Sequence, residues 1–403
     1  MAESVPVPAA ASPPSIWALS RYFLRLGALG FGGPVALANA MRRDLAEERG
    51  WLTEGEYDDG LAIAAACPGP LAYQLGVYCG YIRHGIAGGL AVAASFALAP
   101  YLLVVAAASL YTRFSGSWQI QALFHGVGPV VVALIFKACW NLGKKTLRRD
   151  LVAWAFFLAA CGITVVVERE LTALFLVAGA LGAVLFAPAA SPPPPAPAAP
   201  EPPAPRAAPP GAQLPVLAGL SASSALSLKI FLFFFKTGLL VFGSGLVIVP
   251  FLKTYIVDQY HWLDNRQFLD SVAIGMISPG PVVITATFVG FLLNGLPGAT
   301  AATVGMFAPA VLLTLLATPL LLRYGRNRRL RGFIRGITVT VVGVLVGTTW
   351  LVAKSAISDR VTVAIAALSL LILFLWKKVP EPLLVALGAA IGLAAYGSGH
   401  LPR

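Results

Sequence analysis

Charge is scarce in this chain: only 11% of its 403 residues are Asp, Glu, Lys or Arg. Soluble globular domains carry about 25%, so an ordinary water-soluble fold is excluded. Acids are the scarcer kind, with Asp+Glu 17 against Lys+Arg 29 and a formal net charge of +12. There are four histidines and four cysteines, with no CxxC pair and no clustered ligand spacing, so neither a disulfide framework, a metal centre nor any other cofactor is expected. Cys67, Cys79, Cys139 and Cys161 lie in apolar stretches and read as small buried hydrophobes. The sequence also lacks the P-loop GxxxxGK[ST], HExxH and GxSxG, which points away from a nucleotide-driven pump or a hydrolase. A basic surplus in a soluble domain would raise nucleic acid as a partner. Here the basic residues stand in short loops between apolar segments, where they set orientation in a bilayer.

Apolar residues are abundant, at 58% with a mean hydropathy of +0.80. Apolar segments recur near 16–38, 58–82, 86–112, 118–141, 151–167 and 171–187, and again near 226–251, 268–294, 297–322, 332–353, 361–376 and 382–398. About 20 such residues in a helix cross a hydrocarbon core, and backbone groups in lipid must be satisfied internally, so these segments are helices of an all-α polytopic membrane protein. Residues 1–15 form a Pro/Ala-rich tail with no basic start of a cleaved signal, and the first apolar segment is expected to serve as its own insertion signal. The Pro/Ala tract within 188–225 is expected to be an extended linker between two repeats, 16–187 and 226–398.

The two halves are copies. A shift of 211 residues aligns Phe23 with Phe234, Gly27 with Gly238, Phe31-Gly32 with Phe242-Gly243, Trp51-Leu52 with Trp262-Leu263 and Pro68-Gly69-Pro70 with Pro279-Gly280-Pro281. Arg25 meets Lys236 and Asp59 meets Asp270 in the same register. The basic clusters, however, fall one crossing out of step. The first (Lys144, Lys145, Arg148, Arg149) follows the fourth segment, and the second (Arg323 to Arg335) follows the third. If both face the cytoplasm, equivalent helices run in opposite directions, which makes the halves inverted-topology repeats. Inversion needs an odd number of crossings, and the Pro-Gly-Pro motif supplies it by cutting the second segment into pieces too short to span. Each half is then five transmembrane helices plus one re-entrant hairpin. The alternative is twelve full crossings with parallel halves, which puts the arginine-rich loop outside.

A Pro-Gly-Pro break frees carbonyls on one side and starts a helix on the other, whose unpaired N–H groups and positive dipole suit an anion. The candidate anion site therefore takes Pro68, Gly69, Pro70 and Gln74 from one copy and Pro279, Gly280, Pro281 and Thr285 from the other. Arg25 and Lys236 join it as intramembrane cations, with snorkelling to the interface as the competing explanation. Gly32 and Gly33, with Gly243 and Ser244, either break the first helix of each copy or let another backbone pack closely. Asp58, Asp59 and Asp270 are expected at hairpin mouths as helix N-caps, with proton coupling as the alternative role for Asp59 and Asp270. The mixed stretches 39–57 and 252–266 read as interfacial amphipathic helices.

These paired motifs (Phe31-Gly32-Gly33-Pro34, Phe242-Gly243-Ser244-Gly245, the two Trp-Leu and the two Pro-Gly-Pro) closely resemble the chromate ion transporter family of the two-domain, long-chain type. The resemblance covers nearly the whole chain except the tail and the linker. It implies efflux of chromate across a bacterial inner membrane, giving chromate resistance, with halves of opposite orientation; with no ATPase signature in the sequence, secondary active transport is the expected mechanism. The second copy departs from the first in reading Gly-Ser-Gly for Gly-Gly-Pro. Chromate and sulfate share shape and charge, so sulfate is the expected competitor or alternative cargo, and a passive anion channel on the same fold is the other reading. The lipid bilayer is an expected partner, a homodimer a candidate arrangement, and antiport against protons or a counter-anion is left open.

Overall fold

The computed structural model describes residues 14–30, 33–114, 118–147, 150–167, 172–186, 222–243, 248–324, 328–376, 379 and 381–396. The tail, nearly all of the linker, Phe31, Gly32, Ser244, Gly245, Arg148, Arg149, Arg326, Lys377 and Lys378 lie outside the described residues. Within them the protein is helical apart from one two-residue strand pair.

The first copy comprises α1 (Ile16–Leu29), α2 (Gly33–Met41), a wide i→i+5 turn (Arg42–Glu48), α3 (Glu54–Ala66), β1 (Gly69–Pro70), α4 (Leu71–Phe114), α5 (Trp118–Thr146), α6 (Leu151–Val167) and α7 (Thr172–Leu185). The second comprises α8 (Ala222–Gly238), β2 (Phe242–Gly243), α9 (Ile248–Phe251), a second wide turn (Leu252–Gln259), α10 (Asn265–Ile277), a 3-10 turn (Val282–Ile284), α11 (Thr285–Tyr324), α12 (Arg328–Ala356), α13 (Arg360–Leu375) and α14 (Glu381–Tyr396). Among the described residues, four helical stretches are long and apolar enough to cross a bilayer, namely Leu71–Phe114, Gln121–Asn141, Val282–Pro319 and Arg335–Lys354. Leu151–Val166, Arg360–Leu375 and Pro382–Ala395 are shorter apolar helices. The protein is thus an all-helical, multi-pass membrane protein.

The first apolar segment, 16–38, is not one helix. It ends at Leu29 and restarts at Gly33, so the glycines do break it. Gly27 nevertheless packs tightly, because a Cβ there would strike the Phe96 carbonyl. The second segment is also divided. α3 and α10 have 13 residues each, about 20 Å of helix, too short to span. Contacts pair Glu56 with Arg83, Gly60 with Tyr78 and Pro68 with Gln74, so α3 and the start of α4 run antiparallel. α4 then turns at His84–Gly85 and α11 at Asn294–Gly295, each glycine having positive φ (58° and 56°).

Asp58, Asp59 and Asp270 do not cap these helices. Thr53 and Asp264 do, each closing a capping box with Glu56 or Gln267 three residues on. That reciprocal pairing satisfies two backbone donors at once and so fixes the start one turn or more earlier.

The copies are interleaved. α5 packs against α13 and α14 of the other copy, and its counterpart α12 packs against α6 and α7. Glycines permit the close approach: a Cβ on Gly126 would meet Gly388 and Gly392, and one on Gly182 would meet Gly332 and Gly336. Counterparts also touch directly. Gly128 lies by Ala356, Cys139 by Thr349 and Gly143 by Val342, so α5 and α12 are antiparallel. Tyr101 bonds Thr300 at 2.7 Å and Gly89 meets Leu315, so α4 and α11 are antiparallel too.

Candidate functional site

The two Pro-Gly-Pro breaks clasp each other's copy. The Gly69 N–H donates to the Val241 carbonyl at 2.5 Å, and the Gly280 N–H donates to the Gly30 carbonyl at 2.9 Å. Both bonds obey the register of the duplication, so each hairpin is tied to the helix break of the opposite copy. β1 and β2 are this junction, with Gly69 beside Phe242 and Pro70 beside Gly243 in parallel.

Local chemistry explains why the sequence breaks here. Pro70 and Pro281 have no N–H and a fixed φ, which suits a residue just before a helix. Pro281 precedes the 3-10 turn, and Thr285, fully buried, returns its hydroxyl to the Val282 carbonyl at 2.8 Å. Gln74, also fully buried, donates Nε2 to the Pro68 carbonyl at 2.8 Å, capping a group the break had orphaned. Its Oε1 has no hydrogen-bond partner among the described residues. A buried acceptor left unpaired costs roughly 1–3 kcal/mol, so this junction is polar and incomplete.

The two breaks differ in room. Gly69 has φ 141°, and a Cβ there would stand 2.6 Å from Gln74 Cδ and 2.8 Å from Ala310 Cβ. Gly280 has φ 89°, and its nearest neighbour would be Pro100 Cγ at 3.2 Å. Tyr73, next to Gln74, packs on Phe307 of the other copy with ring centroids 4.5 Å apart.

Other candidates lie elsewhere. Arg25 is exposed on α1. Lys236 is exposed on α8, where it lines a groove with Lys229, Phe233, Tyr255, Tyr260 and Trp262, and its ammonium stands 5.7 Å from the Tyr255 ring centre. No Pro-Gly-Pro residue lines that groove. Gly33 opens α2 and Gly243 sits in β2, while Gly32 and Ser244 are outside the described residues.

The two matched acids diverge. Asp59 is exposed, whereas Asp270 is 2% exposed and accepts the Tyr111 hydroxyl of the other copy at 2.7 Å. Sequence reasoning missed one further group, the Arg83 clamp at the first hairpin mouth. Arg83 donates to Glu56 from both terminal nitrogens and to the Trp51 carbonyl from Nε. Burial alone would raise the Glu56 carboxyl, but Arg83 and the Thr53 donors outweigh it and hold the group below its ordinary range. The signal available was Thr53-x-x-Glu56, the pattern of a capping box.

Interleaved helical copies joined at paired glycine-proline breaks define the class, a duplicated multi-pass membrane protein with a polar junction between copies. The chain belongs to the chromate transporter family, whose model matches residues 17–184 and again 228–393. The two matches begin at the spacing of the internal register. A chromate transport protein of Cupriavidus metallidurans is 43% identical over 95% of this chain and 94% of its own length. A probable chromate transport protein of Synechococcus elongatus is 40% identical over 94% of this chain and 95% of its own. One from Pseudomonas aeruginosa is 32% identical, over 98% and 94%. No solved structure matches the chain.

Proposed function

We propose that this protein exports chromate across the inner membrane of a bacterium and thereby confers resistance, as a secondary active transporter built from inverted repeats. Family membership and the names of the similar proteins support chromate as cargo. The observation that carries the architectural half of the reading is the antiparallel contact between counterpart helices, α4 with α11 and α5 with α12. A second contact agrees with it. Arg335, near the start of α12, donates to Asp150, at the start of α6, at 2.8 Å, so the described ends of α12 and α6 meet. That is what a shared cytoplasmic address requires.

In this reading the anion sits at the clasped breaks, held by backbone N–H groups at the start of α4 and in the 3-10 turn (Val282–Ile284) that leads into α11, and by the dipoles behind them. Gln74 Oε1, needing a donor, takes a water or the proton of a protonated oxyanion. The reading keeps both Pro-Gly-Pro motifs, Gln74 and Thr285, and places neither Arg25 nor Lys236 on the anion. Asp270, buried and bonded across the copies, is the better placed of the two acids to carry a coupled proton. Rocking of one copy against the other around this junction exposes it to each side in turn. An inside-negative potential assists exit of a divalent anion by about 4.6 kcal/mol at 100 mV.

Everted membrane vesicles test the proposal. Chromate should accumulate with saturation, respond to collapse of the proton gradient, and fall at least tenfold in Gln74→Leu. Accumulation of sulfate in preference to chromate would reassign the cargo, and uptake linear in concentration would replace the transporter with a channel.

A further inference from the structure

The groove beside α8 has a closed counterpart in the first copy, and the difference points to a ligand. Its volume is about 550 Å³, and it is open on one side. Lys229 and Lys236 stand seven residues apart on one face of α8, about 10 Å along the axis. Its floor is aromatic: Phe233, Tyr255, Tyr260 and Trp262 stack edge-to-face or tilted at 5.1 to 6.3 Å. Leu226, Leu232, Thr237 and Leu240 complete the lining, and no Asp or Glu contributes to it. The acid on the adjoining turn, Asp258, is engaged by Lys253.

In the duplication register, Tyr255 corresponds to Asp44, Tyr260 to Arg49 and Phe233 to Tyr22. There the first copy neutralises itself. Tyr22 donates to Asp44 at 3.1 Å, Arg43 pairs with Asp44 at 3.0 Å, and Arg49 lies 5.3 Å over Tyr22 and 4.8 Å over Trp51. The second copy carries tyrosines, Tyr255 and Tyr260, where the first has the internal anion and the stacking guanidinium. It keeps two ammonium groups that have no carboxylate partner among the described residues.

We propose that this groove binds the headgroup of an anionic phospholipid, its phosphodiester bridging Lys229 and Lys236 and its acyl chains lying along the leucines of α8. Charge complementarity calls for an anion, and the apolar and aromatic walls call for one attached to hydrocarbon. Tyr and Trp are the residues that sit at headgroup level in membrane proteins, their hydroxyl and indole N–H groups facing the polar layer.

The test is native mass spectrometry of the purified full chain in detergent, after exchange into mixed phosphatidylglycerol and phosphatidylcholine. The wild-type protein should retain phosphatidylglycerol selectively. Lys229→Gln combined with Lys236→Gln should weaken that retention roughly tenfold to thirtyfold. Tyr255→Asp, which supplies an internal anion beside Lys236, should weaken it without removing either lysine. Size-exclusion profiles matching wild type establish that both variants are folded. Equal retention of phosphatidylcholine, or undiminished retention in the double-lysine variant, overturns the proposal. Displacement of the lipid by millimolar inorganic phosphate or sulfate also overturns it, in favour of a free-oxyanion site.

Discussion

The two copies share one backbone plan yet divide their labours, and the divergence falls at matched positions. At the break, the first copy is tight: Gly69 is wedged between Gln74 and Ala310, where the second leaves Gly280 more space against Pro100. At the hairpin mouth, the first copy uses a charged clamp, Arg83 on Glu56. The second has the uncharged Leu293 in that place, and the next residue, Asn294, which matches His84, bonds Ser223 and Ser227 of α8 at 2.9 and 2.8 Å. In the hairpin, the acid is exposed in the first copy and buried in the second. Duplication fixes where the chain turns, and the side chains then specialise each turn. A site shared between such copies is pseudo-symmetric in backbone and asymmetric in chemistry.

Gly69→Ala should have the largest effect. It meets backbone strain of about 1–3 kcal/mol as well as the overlap with Gln74 and Ala310, so chromate accumulation in vesicles should drop more than tenfold, with reduced folded yield. Gly280→Ala meets the strain without the same overlap and should lose only a few-fold. Equal losses would break the comparison.

Asp270→Asn removes a buried charge while preserving the Tyr111 contact. Vesicle transport should fall about tenfold, as expected of an intramembrane acid with a role in transport. Asp59→Asn, at an exposed position, should stay within about twofold of wild type. Matching behaviour would mean that burial does not distinguish the two acids.

Arg83→Gln should lower thermal stability by about 1–3 kcal/mol, because Glu56 loses its guanidinium partner, keeping only the Thr53 donors, and the Trp51 carbonyl loses its donor. Asn294→Ala should cost about half as much, its partners being neutral. Differential scanning fluorimetry in one detergent checks both. Because the Glu56 carboxyl is held below its ordinary range, its contribution is present above the unfolded value and is lost as pH falls through the lower folded one. Glu56→Gln should flatten that acid limb.

The smallest effect belongs to the turn before Trp-Leu. Gly50 has φ 58°, and its counterpart His261 holds φ 50° although it is not glycine. A non-glycine residue in this region costs about 1–2 kcal/mol, offset in part by the bond between His261 Nδ1 and the Val257 carbonyl. His261→Gly should therefore raise the melting temperature slightly, and a fall would show that the side-chain bond outweighs the strain.

Much of this was legible in the sequence because duplication marks it with rare letters. Trp-Leu and Pro-Gly-Pro at one spacing revealed the copies, and apolar runs gave α6, α7, α13 and α14 to within two residues, whereas the first three runs of each copy were divided or merged. Helix starts were misplaced where Asp58, Asp59 and Asp270 were preferred as caps over Thr53 and Asp264, whose reciprocal Glu56 and Gln267 are the stronger pattern. The clasp itself was not legible. It consists of two backbone bonds between residues far apart in the chain, and backbone donors carry no sequence signature. Arg25 and Lys236 were drawn to the centre by their charge, but helix periodicity turns them to the outer faces of α1 and α8. The groove carries no motif of its own, because it is defined by a difference between the copies, Asp44 and Arg49 in the first standing where Tyr255 and Tyr260 stand in the second.

Opposite orientation of the two copies underlies the entire account, and sidedness of the two basic connections measures it directly. Alkaline phosphatase and fluorescent-protein fusions after Thr146 and after Tyr324 report which side of the membrane each end occupies. The account predicts that both junctions are cytoplasmic, fluorescent and without phosphatase activity. Phosphatase activity at one junction with fluorescence at the other would contradict it.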